Sequence, residues 1–403
     1  MQAPAGPPFF FDPFDEATRR DPYALFARAR REHPAWRHEG LPVVSVFRHA
    51  DCQAILRDPE TWSSVFPTPP GFAPEDVPRS MLVMDPPEHT RLRGLVSLAF
   101  TPRRIRQLAP RIEAIAHELL AAALARREVD LVEALTYPLP VVVIAELIGV
   151  PVEDRARFKA WSDAIVAPLG TVFFEVAPPE RVATLRRVRG ELEAYLVRLV
   201  EARRREPRDD LLSALVAAEL EGSRLSFAEL LAMLILLLVA GNETTTHLIG
   251  NAVLTLLAHP EALEALRADP SRVPAAVEEV LRFSSPVQMD PRLATREAQL
   301  QGVALAAGEV VLCWLGSANR DEAIFERPEV FDIGREQKPD VAFGFGPHYC
   351  LGASLATLEA EVALRVLLAR TRRFGRVDDA PLPIPPSIVF RGVTSLPMVL
   401  EPA

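Results

Sequence analysis

Phe343-Gly344-Phe345-Gly346-Pro347-His348-Tyr349-Cys350-Leu351-Gly352-Ala353 forms a glycine-containing loop that runs into the helical pattern LGASLATLEAEVALRVLLA. A cysteine among apolar residues is most often a small buried hydrophobe. Cys350 is placed differently. At the mouth of a helix a thiol meets unpaired N–H groups and the positive end of the helix dipole, and both favour the thiolate. Glycines on either side let the backbone come close to a flat ligand. The loop reads as a sulfur ligand held at a helix start.

Working outward, most of the chain reads as helix. Ser226 and Glu229 form a capping box opening a long helix that runs to about Ala258. Its stretch Leu230–Val239 is apolar on all sides, which predicts central burial. Thr101-Pro102 reads as an N-cap with proline at the first helical position, ahead of a long helical stretch. Further helical patterns cover 138–149, 152–167, 180–205 and 209–220. Leu41–Phe47 and Glu309–Leu315 carry strand composition, and another apolar segment lies around Ser395–Leu400. The length of 403 residues allows two or three domains, but the 38 prolines are dispersed and no linker or repeat divides the chain. The expectation is one domain, 1–403, mainly α with a small β portion (α+β).

The formal charge of −9 argues against a nucleic-acid binder, which needs clustered Lys and Arg. The three cysteines, Cys52, Cys313 and Cys350, are too few and too widely spaced for a disulfide framework, which fits a reducing cytoplasm. No secretory leader is visible at the N-terminus. The apolar run Leu230–Ala240 is shorter than the ~20 residues a bilayer span needs. A soluble protein without a membrane anchor is expected.

The cysteine loop resembles the ligand loop of the cytochrome P450 superfamily, F-x-x-G-x-H/R-x-C-x-G, which Phe343, Gly346, His348, Cys350 and Gly352 match. Three further matches accompany it. Ala240-Gly241-Asn242-Glu243-Thr244 resembles the acid–alcohol motif of the family's long helix. Glu279-Val280-Leu281-Arg282 resembles E-x-x-R, and its spacing puts both charges on one helical face. His89 and Arg93, four apart, resemble the family's propionate pair, and Arg292 a further propionate arginine. Ala318-Asn319-Arg320-Asp321 and Arg391-Gly392…Leu396-Pro397 extend the likeness along the chain.

The resemblance implies the family's single helical fold, with haem b between the long central helix and the cysteine loop. It implies that Cys350 ligates the iron, a thiolate whose electron density favours O–O cleavage. Phe343 and Gly352 would flank the haem, and His89, Arg93, Arg292 and His348 would hold its propionates. Thr244 would stabilise reduced oxygen and Glu243 would relay protons, with Ala240 and Gly241 leaving room for dioxygen. Glu279 and Arg282 would form a buried ion pair that braces the core. The third member of that network stays open: Pro328-Glu329-Val330-Phe331 lacks the usual arginine, and Asp340 stands where an alternative histidine is found.

By position in the family, the substrate pocket is expected from Trp62, Phe66, Phe72 and Val77; from Val166, Leu169, Phe173 and Phe174; from Leu236, Val239 and Ala240; and from Val287, Met289, Val389 and Phe390. Their apolar character implies a hydrophobic organic substrate, a secondary metabolite or a fatty acid, whose carboxylate Arg79 would anchor. No flavin or nicotinamide motif is visible, so the resemblance implies a ferredoxin with its reductase as electron source. Arg103, Arg104 and Arg106 are the candidate docking surface. Three readings compete: a monooxygenase using dioxygen, a haem-thiolate peroxygenase using hydrogen peroxide, and a non-enzymatic haem sensor or electron carrier. The Glu243–Thr244 pair favours the first, acting as a monomer.

Overall fold

A computed structural model describes residues 9–69, 71–73, 79–166, 178–220, 222–336 and 338–403. Its axis is the helix Phe227–Ala258 of 32 residues. The capping box starts it as the sequence predicts, with Ser226 Oγ accepting from Glu229 N and Glu229 Oε2 accepting from Ser226 N. Helices Pro138–Leu147, Arg155–Val166, Val273–Phe283 and Ala353–Arg370 pack around it. By length and composition it could cross a bilayer, but Leu234, Leu238, Leu248 and Ile249 are sealed inside the protein. It is a core helix.

Burial around it is one-sided. Leu236, Leu237 and Val239 are half-buried, and Ala240 is exposed although it sits near the helix midpoint. All-round apolarity therefore overstates the burial of Leu230–Val239. One face of this stretch is sealed by helices, and the other borders accessible space.

Thr101 caps Pro102–Gln107 through Arg104 N, as predicted, but the helix breaks at Leu108 and restarts as Ala109–Leu124. Pro110 has no N–H to continue the ladder. The predicted helix over 209–220 stops at Ala217, and Glu219–Leu220 turns into a two-stranded ribbon with Ser223–Arg224.

A five-stranded sheet runs in the order Ala35–Arg37, Val43–Val46, Val310–Cys313, Asp290–Ala294, Trp62–Ser63. The two predicted strands meet in it: Val43–Val46 lies parallel to Val310–Cys313, tying the start of the chain to its last third. A second sheet joins Thr371–Arg376, Pro397–Pro402 and Glu128–Asp130. The last is a three-residue strand from mid-chain whose two acidic residues flank Val129, too short and too charged to betray a strand in sequence. The β portion thus also draws on residues from the middle of the chain.

Candidate active site

The Cys350 loop is braced by neighbours far away in sequence. Cys350 N donates to Phe343 O at 2.9 Å, folding the loop onto itself. Buried Asn319 accepts from Val341 N at 2.7 Å and donates to Ser285 Oγ at 2.9 Å, fixing the entry to the loop. Gly346 has φ +71°, and a Cβ there would lie 2.5 Å from the Leu56 carbonyl. Its need for glycine comes from this turn and its packing on His49–Arg57, not from clearance for a ligand.

At Cys350 the forces oppose one another. Backbone N–H groups of Gly352 and Ala353 and the charge of Arg93 pull the thiol pKa down, as the helix-start position predicts. Burial outweighs them and leaves it above the ordinary value. A coordinated metal ion supplies the missing positive charge and deprotonates a thiol outright.

Four basic residues gather beside the loop. His89 is buried, and neither ring nitrogen has a partner; His348 Nε2 is likewise buried and unpartnered. The two rings lie 4.1 Å apart. Burial first, then the charges of His89, Arg292 and Arg93, hold the His348 pKa down to about 3. His89 is lowered by burial and by Arg93. Arg292, buried, leans on Asp290 and the Pro291 carbonyl. Arg93 donates to the Tyr349 carbonyl next to the cysteine. Unsatisfied donors under positive potential form a cradle for anions. These residues fit the two carboxylates of a haem, with a sulfur alongside for its iron.

On the central helix, Thr244 Oγ1 donates to the Ala240 carbonyl at 2.8 Å, which leaves its oxygen free to accept. Glu243 Oε2 is buried without a partner, and Oε1 lies 3.5 Å from His247 Nε2. Asn242, on the next face, donates to Tyr137 Oη and to Ser162 Oγ, each at 3.2 Å, and so anchors the helix Arg155–Val166.

The Glu279–Arg282 pair is buried at 2.7 Å, and Arg282 also donates to the carbonyls of Asn319, Pro328 and Val330. The open third place is taken by Arg335, whose Nε lies 3.1 Å from Glu279 Oε1. Arg335 falls four residues after Phe331, outside the segment where an arginine was sought.

The substrate candidates divide. Leu236 and Val239 lie half-buried beside exposed Ala240 and half-buried Gly241. Val287 and Phe390 are joined by an isolated antiparallel bridge, with Val389 next to it. Phe66 and Phe72 are half-buried. Met289 is a correction: at 1% exposure it belongs to the aromatic core of Phe11, Phe26 and Trp314. Trp62 is another, pinned in the five-stranded sheet against Ala294. Strand pairing turns Trp62 inward, and Met289 is packed away just ahead of the strand Asp290–Ala294. Val77, Leu169, Phe173 and Phe174 lie outside the described residues, and Val166 is the last residue of its helix. Arg79 is exposed and sits 3.8 Å from Glu88.

The cytochrome P450 family model matches residues 4–374. A putative cytochrome P450, YjiB, of Bacillus subtilis is 42% identical over 90% of both chains. The structure of cytochrome P450 CYP109Q5 from Chondromyces apiculatus superposes with a TM-score of 0.89 at 42% identity, covering 98% of each chain. CYP109E1 from Bacillus megaterium in complex with testosterone gives 0.85 at 36% identity, covering 94% of this chain and 99% of that one.

Proposed function

The chain belongs to the cytochrome P450 family and is a haem-containing monooxygenase, and from its site we propose how its own residues serve that chemistry. Cys350 would supply the sulfur that holds the haem iron, and His89, Arg93, Arg292 and His348 would bind the two propionates. Phe343 and Gly352 would border the haem, and the small residues Ala240 and Gly241 would leave room for dioxygen beside it. When bound, haem supplies the reduction of dioxygen. Thr244 offers an acceptor oxygen, its hydroxyl hydrogen being engaged by Ala240 O. Glu243 holds and passes protons from its free carboxyl oxygen. Insertion of one oxygen atom consumes two electrons and two protons, so a buried proton carrier beside an alcohol serves this reaction directly. That pair carries the choice of an external monooxygenase over a peroxygenase or a non-catalytic haem carrier.

The substrate is a hydrophobic organic molecule held by burial against Leu236, Val239, Val287, Val389 and Phe390. The steroid bound by the Bacillus megaterium relative supports a bulky apolar compound, of the kind met in secondary metabolism. A fatty acid remains the second candidate, although Arg79, exposed and 3.8 Å from Glu88, does not single out its carboxylate. The enzyme acts as a cytoplasmic single-domain monomer. Electrons come from a ferredoxin and its reductase, docking near Arg103, Arg104 and Arg106.

Reduced protein under carbon monoxide should show the strongly red-shifted Soret band of thiolate ligation, and Cys350→His should abolish it. Retention of the band in the variant would sink the ligand assignment. A spin-state screen of apolar compounds then reads the substrate class.

A further inference from the structure

The central helix carries one more ionisable group than the acid–alcohol pair requires. His247 lies one turn beyond Glu243, 4% exposed, with Nε2 at 3.5 Å from Glu243 Oε1. Neither of its ring nitrogens has any other partner. The ring is clamped in place. A Cβ on Gly392 would fall 2.2 Å from Nδ1 and 2.6 Å from Cγ, so only glycine admits the imidazole here. Phe390, the pocket candidate two residues earlier, has its ring centroid 6.3 Å away.

An unpartnered buried imidazole is costly, and so is a buried carboxylate with one free oxygen. Placed within 4 Å, the two relieve each other by sharing a proton, as imidazolium with carboxylate or as imidazole with carboxylic acid. We propose that His247 is the proton-sharing partner of Glu243: a positioning residue that keeps the carboxyl oriented and reloadable. The transfer is balanced within the pair. Nε2–H gives its proton to Oε1, the carboxyl becomes a neutral acid, and rotation about Cγ–Cδ turns that same O–H toward Thr244. One solvent proton then restores the imidazolium. The pair stores up to two protons, the number that one oxygen insertion consumes.

Among the described residues, few other ionisable groups reach this pair. Tyr137, from the turn preceding Pro138–Leu147, senses the charge of Glu243 and is bonded to Asp163 of the neighbouring helix. Glu359, on the helix packed beneath, owes its raised pKa to burial alone. Arg391, beside Gly392, turns away to the carbonyls of Arg19 and Arg20.

The inference rests on the haem-thiolate reading, which the carbon monoxide spectrum tests separately on every variant. The haem-loaded resting enzyme is titrated with labelled imidazole followed by nuclear magnetic resonance and the Glu243 carboxyl by infrared difference spectroscopy. No substrate is needed. Glu243→Gln should lower the His247 midpoint by about one pH unit or more, since the imidazolium loses its counter-charge. His247→Gln should raise the Glu243 midpoint by the same amount, because coupling between two sites is reciprocal. Gly392→Ala, which changes no titrating group, should reproduce the His247→Gln shift by displacing the ring. A His247 midpoint that ignores Glu243→Gln, in protein with an intact Soret band, overturns the proposal.

Discussion

At Glu279 one carboxylate, 3% exposed, receives two guanidinium groups and a backbone N–H from Asp332. Which partner is removed decides the cost. Arg282→Ala strands a buried charge and five hydrogen-bonding positions at once, so a loss of about 3–5 kcal/mol is expected, with little haem-loaded protein recovered. Arg335→Ala leaves the inner pair whole and should cost roughly 1–2 kcal/mol, read as a lower midpoint of thermal unfolding with the Soret band retained. Equal losses in the two variants would mean that Arg335 is as central as Arg282. Glu279 and Arg282 were legible because a spacing of three is a local signal. Arg335 was not, since only the folding of 328–340 brings it back to Glu279. The same holds for His247. Its sequence neighbours mark it as one more core-helix residue, and only the approach of Gly392 shows what it faces.

At the scale of the element, the two helices flanking the site were read well because their start signals are chemical: a capping box for one and a cysteine at a glycine-flanked start for the other. What lies along them was less visible. Glu359 on Ala353–Arg370 is buried, with Oε2 unpartnered, and burial raises its pKa well above the ordinary 4.5. The folded state therefore keeps it protonated while the unfolded chain ionises. Its contribution to stability is whole below about pH 4.5 and is lost as pH rises toward the folded pKa, at a slope of about 1.4 kcal/mol per unit. Glu359→Gln should remove this slope, so its unfolding midpoint should exceed that of the parent by more at pH 7.5 than at pH 5. A difference that does not change with pH would show that the carboxyl ionises equally in both states. Thr244→Ala, on the other helix, should leave the fold intact and divert electrons from product to hydrogen peroxide, measured as peroxide released per NAD(P)H consumed. Unchanged coupling would mean that another group accepts in place of Thr244.

At the scale of the whole molecule, the mainly helical architecture with its small β portion was legible from the helical patterns along the chain. The strand order was not, because Val43–Val46 meets Val310–Cys313 only through long-range pairing. Trp62 went astray for the same reason, since apolar residues on either face of a strand look alike in sequence, and Met289 because only tertiary packing brings it against Phe11, Phe26 and Trp314. Charge is the remaining global property, and it bears on electron delivery. The chain's net charge is −9, which repels an acidic ferredoxin at long range. Arg103, Arg104 and Arg106 stand exposed on Pro102–Gln107 around the buried Ile105, and that short helix packs against Ala353–Arg370, into which the cysteine loop runs. A local basic patch on the sulfur side can steer an acidic partner despite the overall repulsion. Reversing all three to glutamate takes the net charge to −15 without touching the core. The rate of reduction by an acidic [2Fe–2S] ferredoxin, followed by stopped-flow under carbon monoxide, should then fall about tenfold or more at low ionic strength. Near 1 M salt, where the screening length is about 3 Å, parent and variant should converge. Equal rates at every ionic strength would put the docking surface elsewhere on the protein.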